Sequence, residues 1–193
     1  MLVNKKAELR KLMLEKQISL IKREREYRSG RTSGSFFEDF NLFKLSKLHV
    51  FYSIEEKAEF STHLIINKLW NEYPHITTIL PRVNFAEGVL EHLEYNSETH
   101  LKKNEWDIFE PASDVLVNEQ DIDIVLVPLL CFDTLGFRVG HGKGFYDKFL
   151  IKCRKDCLKI GLSLFDPIER IEDIEPHDVK LDYCITPKKV WEF

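Results

Sequence analysis

Cysteine is scarce in this 193-residue chain: four are present, and no two have the spacing of a redox pair or half a zinc site. Cys131 lies in an apolar run, Cys184 sits beside Ile185, and three residues separate Cys153 from Cys157, so four reduced, mostly buried thiols are expected. His49, His63, His75, His92 and His100 are scattered, with no HxH or HxxxH pattern to suggest a metal. Eight glycines and seven prolines are too few for a fibrous or linker-like chain. No apolar run approaches the roughly 20 residues that span a bilayer, so no membrane association is expected. The opening MLVNKKAELRKLMLEK has no apolar stretch of the secretory kind. Positive charge is not in excess either: 28 Lys+Arg against 32 Asp+Glu give a net charge of −4, which argues against a nucleic-acid partner. The remaining expectation is a cytoplasmic globular protein with one domain over residues 1–193, its 44% hydrophobic content sufficient for a core. It is expected to be a monomer, since no heptad pattern or self-complementary strand is visible.

Periodicity then divides the chain. The first 28 residues carry a helical stripe (Leu9, Leu12, Met13, Leu20, Ile21) and a basic side on which Lys6 and Arg10, four apart, project together. RSGRTSGS (28–35) predicts a mobile break, and Phe36, Phe37, Phe40 and Phe43 predict a second helix with a buried face. LHVFYS (48–53) reads as a strand, EEKAEFSTHLIINKLWNEY as a helix with Leu64, Ile65, Leu69 and Trp70 inward, and TTILPRV (77–83) as a strand stopped by Pro81. VLEHLEY is a further strand, followed by polar loop. DIDIVLVPLLCF (121–132) has the length and β-branched content of a strand buried on both faces. KIGLSLF (159–165) and DYCIT (182–186) complete an alternation of strands and helices that predicts a layered α/β fold.

Four of the eight glycines, Gly136, Gly140, Gly142 and Gly144, fall in DTLGFRVGHGKGFYDKFL (133–150), where a helical pattern begins directly after Gly144. Backbone without Cβ lets N–H groups approach an anion, and Arg138, His141 and Lys143 add side-chain donors for phosphate. The stretch is neither a P-loop, because Phe137 stands five before Gly142 and Gly144 follows Lys143, nor a dinucleotide fingerprint, because Phe145 takes the third glycine position. It reads as a phosphate cradle.

VPLLCFDTLGFRVGHGKGFYDKFL resembles the signature of 5-formyltetrahydrofolate cyclo-ligases, also called methenyltetrahydrofolate synthetases. The resemblance extends along the chain: Lys6-Ala-Glu-Leu9-Arg10, Tyr52-Ser53 with Glu59-Phe-Ser-Thr62, Leu80 to Val83, Ile108-Phe-Glu-Pro111 and Glu175 to Asp182 follow in the family's order. His141 stands where the family usually has Arg, Phe145 where it has Tyr, and Leu129 and Cys131 where it has Gly and Ala. The resemblance implies a single three-layer α/β domain of the NagB/RpiA/CoA-transferase-like kind, with a mostly parallel open sheet covered by helices on both faces. It implies ATP-dependent conversion of 5-formyltetrahydrofolate to 5,10-methenyltetrahydrofolate, with ADP and phosphate released. ATP would phosphorylate the formyl oxygen, and N10 would then close the ring.

By the same resemblance, Lys6, Arg10, Arg138, Gly140, His141, Gly142, Lys143, Gly144, Phe145 and Tyr146 are expected to hold ATP. Arg138, His141, Lys143 and Tyr146 would serve the phosphoryl transfer, which asks for positioning and charge stabilisation and for no protein nucleophile. Asp147 and Asp182 would hold Mg²⁺, which commonly takes one or two carboxylates beside phosphate oxygens. Glu59 would accept from pterin N–H groups, with Tyr52, Trp106 and Tyr146 as aromatic walls. Asp133 and Asp178 are read as structural. The alternatives are a catalytically weak folate- or nucleotide-binding paralogue, another ATP-using or sugar-phosphate enzyme on a related scaffold, and an interaction module presenting the Phe-rich segment.

Overall fold

The run Ile124–Pro128 (β6) has four fully buried residues in sequence, and alternate side chains enter different cores. Ile124 and Leu126 pack on one face of the sheet, Val125 and Val127 on the other. An apolar strand without alternation can only be satisfied by cover on both faces, which is what surrounds it in the computed structural model of residues 4–193.

Flanking β6 are β1 (Lys47–His49) and β9 (Leu158–Leu162), and beyond them β2 (Thr77–Asn84) and β10 (Tyr183–Ile185). All four neighbouring pairs in this set are parallel. Antiparallel strands close both edges, β3 (Val89–Glu94) on β2 and β11 (Val190–Glu192) on β10, so the seven-stranded order is β11-β10-β9-β6-β1-β2-β3. The helices α1 (Lys6–Ile18), α2 (Lys22–Asp39) and α3 (His63–Glu72) deliver Leu9, Met13, Phe36, Ile65 and Leu69 to one face. On the other face α4 (Phe145–Leu150) delivers Phe149 and Leu150. The architecture is the expected α/β sheet, mostly parallel, with helices on both sides. Among the described residues, no helix is long and apolar enough to cross a membrane.

Several local expectations change. The first helix ends at Ile18, and the break falls at Ser19–Ile21 instead of in the Gly/Ser stretch; residues 1–3 of that expectation lie outside the described residues. RSGRTSGS is instead the middle of α2. Its small residues are a packing surface: Ser29, Thr32 and Ser33 are buried, Ser29 Oγ accepts from the Ser61 N–H at 3.0 Å, and Gly30 has Leu64 Cδ1 3.8 Å from its would-be Cβ. Phe36 at the end of this helix is fully buried, but Phe43 lies beyond it and is 77% exposed. On α3, Leu64 faces out and Ile66 takes its place in the core. Pro81 does not stop β2, which continues to Asn84 paired with β3. Past residue 79 only β3 flanks this strand in the sheet, and a residue without N–H is tolerated where one edge is open. The polar stretch after β3 contains a small hairpin, β4 (Leu101–Lys103) and β5 (Phe109–Pro111). The long apolar run is divided at Leu129–Leu130, after which β7 (Cys131–Phe132) pairs with β8 (Arg138–Val139).

Candidate active site

A cavity of about 680 Å³ opens beyond the carboxyl ends of β1 and β6, where open parallel sheets bind ligands. The β7–β8 hairpin returns the chain to this edge. Its turn is set by Asp133, fully buried, whose Oδ1 accepts from the N–H groups of Leu135 (3.0 Å) and Phe137 (2.9 Å) and whose Oδ2 accepts from Ile171 (3.0 Å). Asp133 is therefore structural, as expected. The glycines Gly140, Gly142 and Gly144 follow β8 directly and form one wall of the cavity.

Two of these glycines are required by geometry. Gly142 has φ 86° and Gly144, the residue preceding α4, has φ 70°, angles that L side chains rarely adopt. A Cβ at Gly142 would also lie 2.8 Å from Arg10 Cζ. Arg10, projecting from α1, donates through Nε to the Gly140 carbonyl at 3.0 Å and so clasps the loop. Lys6, one turn earlier on α1, forms an ion pair with Asp178.

The first turn of α4 is anchored from beneath. Arg138, with a side chain 6% exposed, donates from Nη2 to Asp147 Oδ1 at 2.8 Å and from Nη1 to the Val179 carbonyl. Asp147 Oδ1 also accepts from the Val179 N–H at 3.0 Å. Burial lowers the pKa of the guanidinium, and Asp147 opposes that effect. Tyr146 lines the cavity, and its buried hydroxyl has no hydrogen-bond partner in the protein. Burial, reinforced by Glu59, raises its pKa, so it stays a neutral phenol.

The opposite wall begins where β1 ends. Ser53 and Thr62 lock the following turn: Ser53 Oγ accepts from Thr62 N–H (2.8 Å), and Thr62 Oγ1 donates to the Phe51 carbonyl (2.8 Å). Glu59, 8% exposed, sits in that turn, and its Oε2 accepts from the Ile54 N–H at 2.9 Å. Its Oε1 faces His141, whose Nε2 donates to it at 2.6 Å. Tyr52 lies edge-on to Phe109 with ring centroids 5.9 Å apart. Trp106, 43% exposed, stands in the β4–β5 turn, edge-on to Phe85 (4.8 Å) and 6.1 Å from Phe145, with Lys143 Nζ 5.2 Å from its ring centroid.

One cavity thus gathers Lys6, Arg10, Tyr52, Glu59, Trp106, Arg138, Gly140, His141, Gly142, Lys143, Gly144, Phe145, Tyr146 and Asp147. Asp182 is not among its lining. Asp182 lies just before β10, where its Oδ2 accepts from the Lys159 N–H (2.7 Å) and ammonium (3.1 Å) at the start of β9, the end of the sheet away from the cavity. The expectation that Asp182 is the second metal-ligating residue is corrected by this placement. The carboxylate that reaches the cavity is Asp178, read from sequence as structural. It is held by Lys6 and by the Glu175 N–H, while Asp147 is bonded to Val179, the next residue. Asp147 Oδ2 and Asp178 Oδ1 accept no hydrogen bond from the described residues, so each carboxylate offers one oxygen. Among those residues no three His, Cys, Asp or Glu groups cluster to bind a metal unaided.

The glutamate of Ile108-Phe-Glu-Pro111 has a role that the sequence pattern does not assign. Glu110 is buried at the cavity wall, and its Oε1 accepts from Val83 N–H (2.7 Å) and Asn104 Nδ2 (2.6 Å). Asn104 Oδ1 in turn accepts from Trp106 N–H (2.8 Å) and Ile108 N–H (3.2 Å), so the pair fixes the turn that carries Trp106. An Asn opening a polar turn was the available signal.

The profile of the 5-formyltetrahydrofolate cyclo-ligase family matches residues 3–187. The 5-formyltetrahydrofolate cyclo-ligase of Escherichia coli K12 is 31% identical over 148 residues, covering 75% of this chain and 79% of that protein. That of Mycoplasma genitalium is 31% identical over 146 residues, covering 73% and 86%. The solved structure of Aquifex aeolicus 5,10-methenyltetrahydrofolate synthetase superposes with a TM-score of 0.81 at 30% identity, over 97% of this chain and 92% of that one. A synthetase from Mycoplasma pneumoniae, 21% identical, shares the fold with a TM-score of 0.73 over 94% and 98% of the two chains.

Proposed function

Because the chain belongs to the 5-formyltetrahydrofolate cyclo-ligase family and is an enzyme of that class, we propose that it closes the 5,10-methenyl ring of 5-formyltetrahydrofolate at the expense of ATP. The observation that carries this reading is the two-sided cavity, with a glycine loop and four Lys or Arg side chains on one wall and a buried carboxylate among aromatic rings on the other. An N-formyl oxygen leaves poorly. Phosphorylated, it becomes a good leaving group that N10 displaces, releasing phosphate.

Lys6, Arg10, Arg138 and Lys143, with the N–H groups of the glycine loop, hold the triphosphate and neutralise charge as it moves. Glu59 accepts from the pterin N–H groups, and Tyr52 and Trp106 bound the ring faces. Tyr146, neutral and without a partner, donates toward the ligand at the junction of the two walls. The donor set fits Mg²⁺: Asp147 and Asp178 each present a free oxygen on one wall, and magnesium needs no more than two carboxylates beside phosphate oxygens and water. Bound there, the ion would neutralise phosphate charge.

The test is to mix the protein with 5-formyltetrahydrofolate and Mg-ATP and follow the near-ultraviolet absorption of the methenyl product. Absorbance rises only with ATP present. A flat trace from folded protein would replace this reading with the weakly catalytic binding paralogue.

A further inference from the structure

The glycine loop carries two side chains that can donate to a phosphate, and each contacts the opposite wall of the cavity. His141 donates to Glu59 Oε1 at 2.6 Å, and Lys143 places its ammonium 5.2 Å from the centroid of Trp106. Lys143 has no ion-pair partner among the described residues, so the indole is its only charge-stabilising neighbour. Both contacts cross the cavity. Each joins a residue of the nucleotide wall to one of the side chains on which the pterin would rest.

Glu59 is occupied on both oxygens, Oε2 by the Ile54 N–H and Oε1 by His141. A pterin presenting two N–H donors must therefore share or displace the imidazole. Likewise, the face of Trp106 over which Lys143 sits cannot stack on a ring until the lysine moves. A triphosphate in the glycine loop offers both donors a stronger partner, since phosphate carries more charge than one carboxylate or an indole face.

Resting on the function proposed above, we infer that His141 and Lys143 couple the two substrate sites: nucleotide binding withdraws both from Glu59 and Trp106 and so prepares the folate slot. They are positioning residues for folate as well as ligands of the phosphates. The productive order is nucleotide first, and by linkage each ligand tightens the other by the same factor.

The test is calorimetric titration of 5-formyltetrahydrofolate with and without a saturating non-hydrolysable Mg-ATP analogue. Folate affinity should rise by about 10-fold when the analogue is present, within the usual range of such coupling. In the double variant His141→Ala/Lys143→Ala, on an exposed loop that does not support the core, that ratio should fall to within about 2-fold of unity. Trp106 emission supplies a second readout: the analogue alone should shift it, and Trp106→Phe should abolish the shift, leaving Trp70 and Trp191 silent. Equal folate affinity with and without nucleotide in the unaltered protein would overturn the inference, as would a double variant that keeps the full ratio. Failure of folate to bind in either condition would remove the functional reading itself, and this inference with it.

Discussion

Two clusters of polar side chains lie close together at the first turn of α4, and they are wired in opposite ways. On the cavity side every donor side chain named for the phosphates has a partner: Lys6 with Asp178, Arg10 with the Gly140 carbonyl, Arg138 with Asp147, His141 with Glu59 and Lys143 with Trp106. On the sheet side His49 and His92 are buried with ring centroids 5.1 Å apart, and both are packed against Phe149. None of their four ring nitrogens, nor the nearby Tyr146 hydroxyl, has a hydrogen-bond partner in the protein. A buried charge without a partner costs several kcal/mol or more, whereas a neutral imidazole costs far less. The difference teaches which cluster is built for exchange. The phosphate-side donors are held in pairs that a ligand can swap, and the two imidazoles stay neutral only while protons are kept off them.

The largest break in this contrast comes from removing one partner on the charged side. Asp147→Ala removes the hydrogen-bonded counter-charge of buried Arg138 and leaves only the more distant Asp178, so urea unfolding should show a loss of about 3 kcal/mol. Turnover should fall by at least about 100-fold as the offered carboxylate oxygen disappears. Asp147→Asn retains an acceptor for the Val179 N–H and should recover part of the stability but not the rate. An Asp147→Ala protein with unchanged turnover would show that this carboxylate has no part in the reaction.

The neutral side is broken by acid. Burial pulls the His92 pKa down to about 4, with Glu119 and Glu91 raising it and Lys152 lowering it. His49 is likewise held well below its usual range by burial and by His92. A base whose folded pKa lies below its unfolded value takes its proton more readily when unfolded. Stability is therefore whole above about pH 6.5 and declines as pH falls toward 4. For His92 alone the loss between pH 7 and pH 5 is about 2 kcal/mol. Urea midpoints measured at the two pH values should show it, and His92→Leu should remove that share of the difference. A His92→Leu protein as acid-sensitive as its parent would place the sensitivity elsewhere.

Much of this arrangement was legible in the chain because it depends on backbone requirements. Gly142 and Gly144 need positive φ, and the β-branched run at 124–127 needs cover on two faces, so composition alone exposes both. What stayed hidden depends on tertiary contact. Ser29, Gly30 and Ser33 carry loop-like propensities, yet in α2 they form a close-packing surface against α3 and the turn at Ser61, and burial outweighs propensity. The contact between His141 and Glu59, 82 residues apart, has no local signature at all.

The smallest expected effect concerns two aspartates four residues apart, one on each side of a turn. The Asp178 N–H donates to the Glu175 carbonyl, and the turn so formed directs the Asp178 carboxylate toward Lys6 and the cavity. Five residues later the chain enters β10 at the far end of the sheet, and just before that strand Asp182 meets Lys159. That second pair is partly open to solvent, with Asp182 39% exposed, and such pairs contribute about 0–1 kcal/mol. Asp182→Asn should therefore change stability by less than about 1 kcal/mol and turnover by less than about 2-fold. Asp178→Asn should raise the Mg²⁺ concentration needed for half-maximal rate, because it removes one of the two carboxylates offered to the phosphate side. If Asp182→Asn instead shifts that magnesium requirement and Asp178→Asn does not, then the metal-binding carboxylate is not the one that faces the glycine loop, and the cavity described above is not where the phosphates lie.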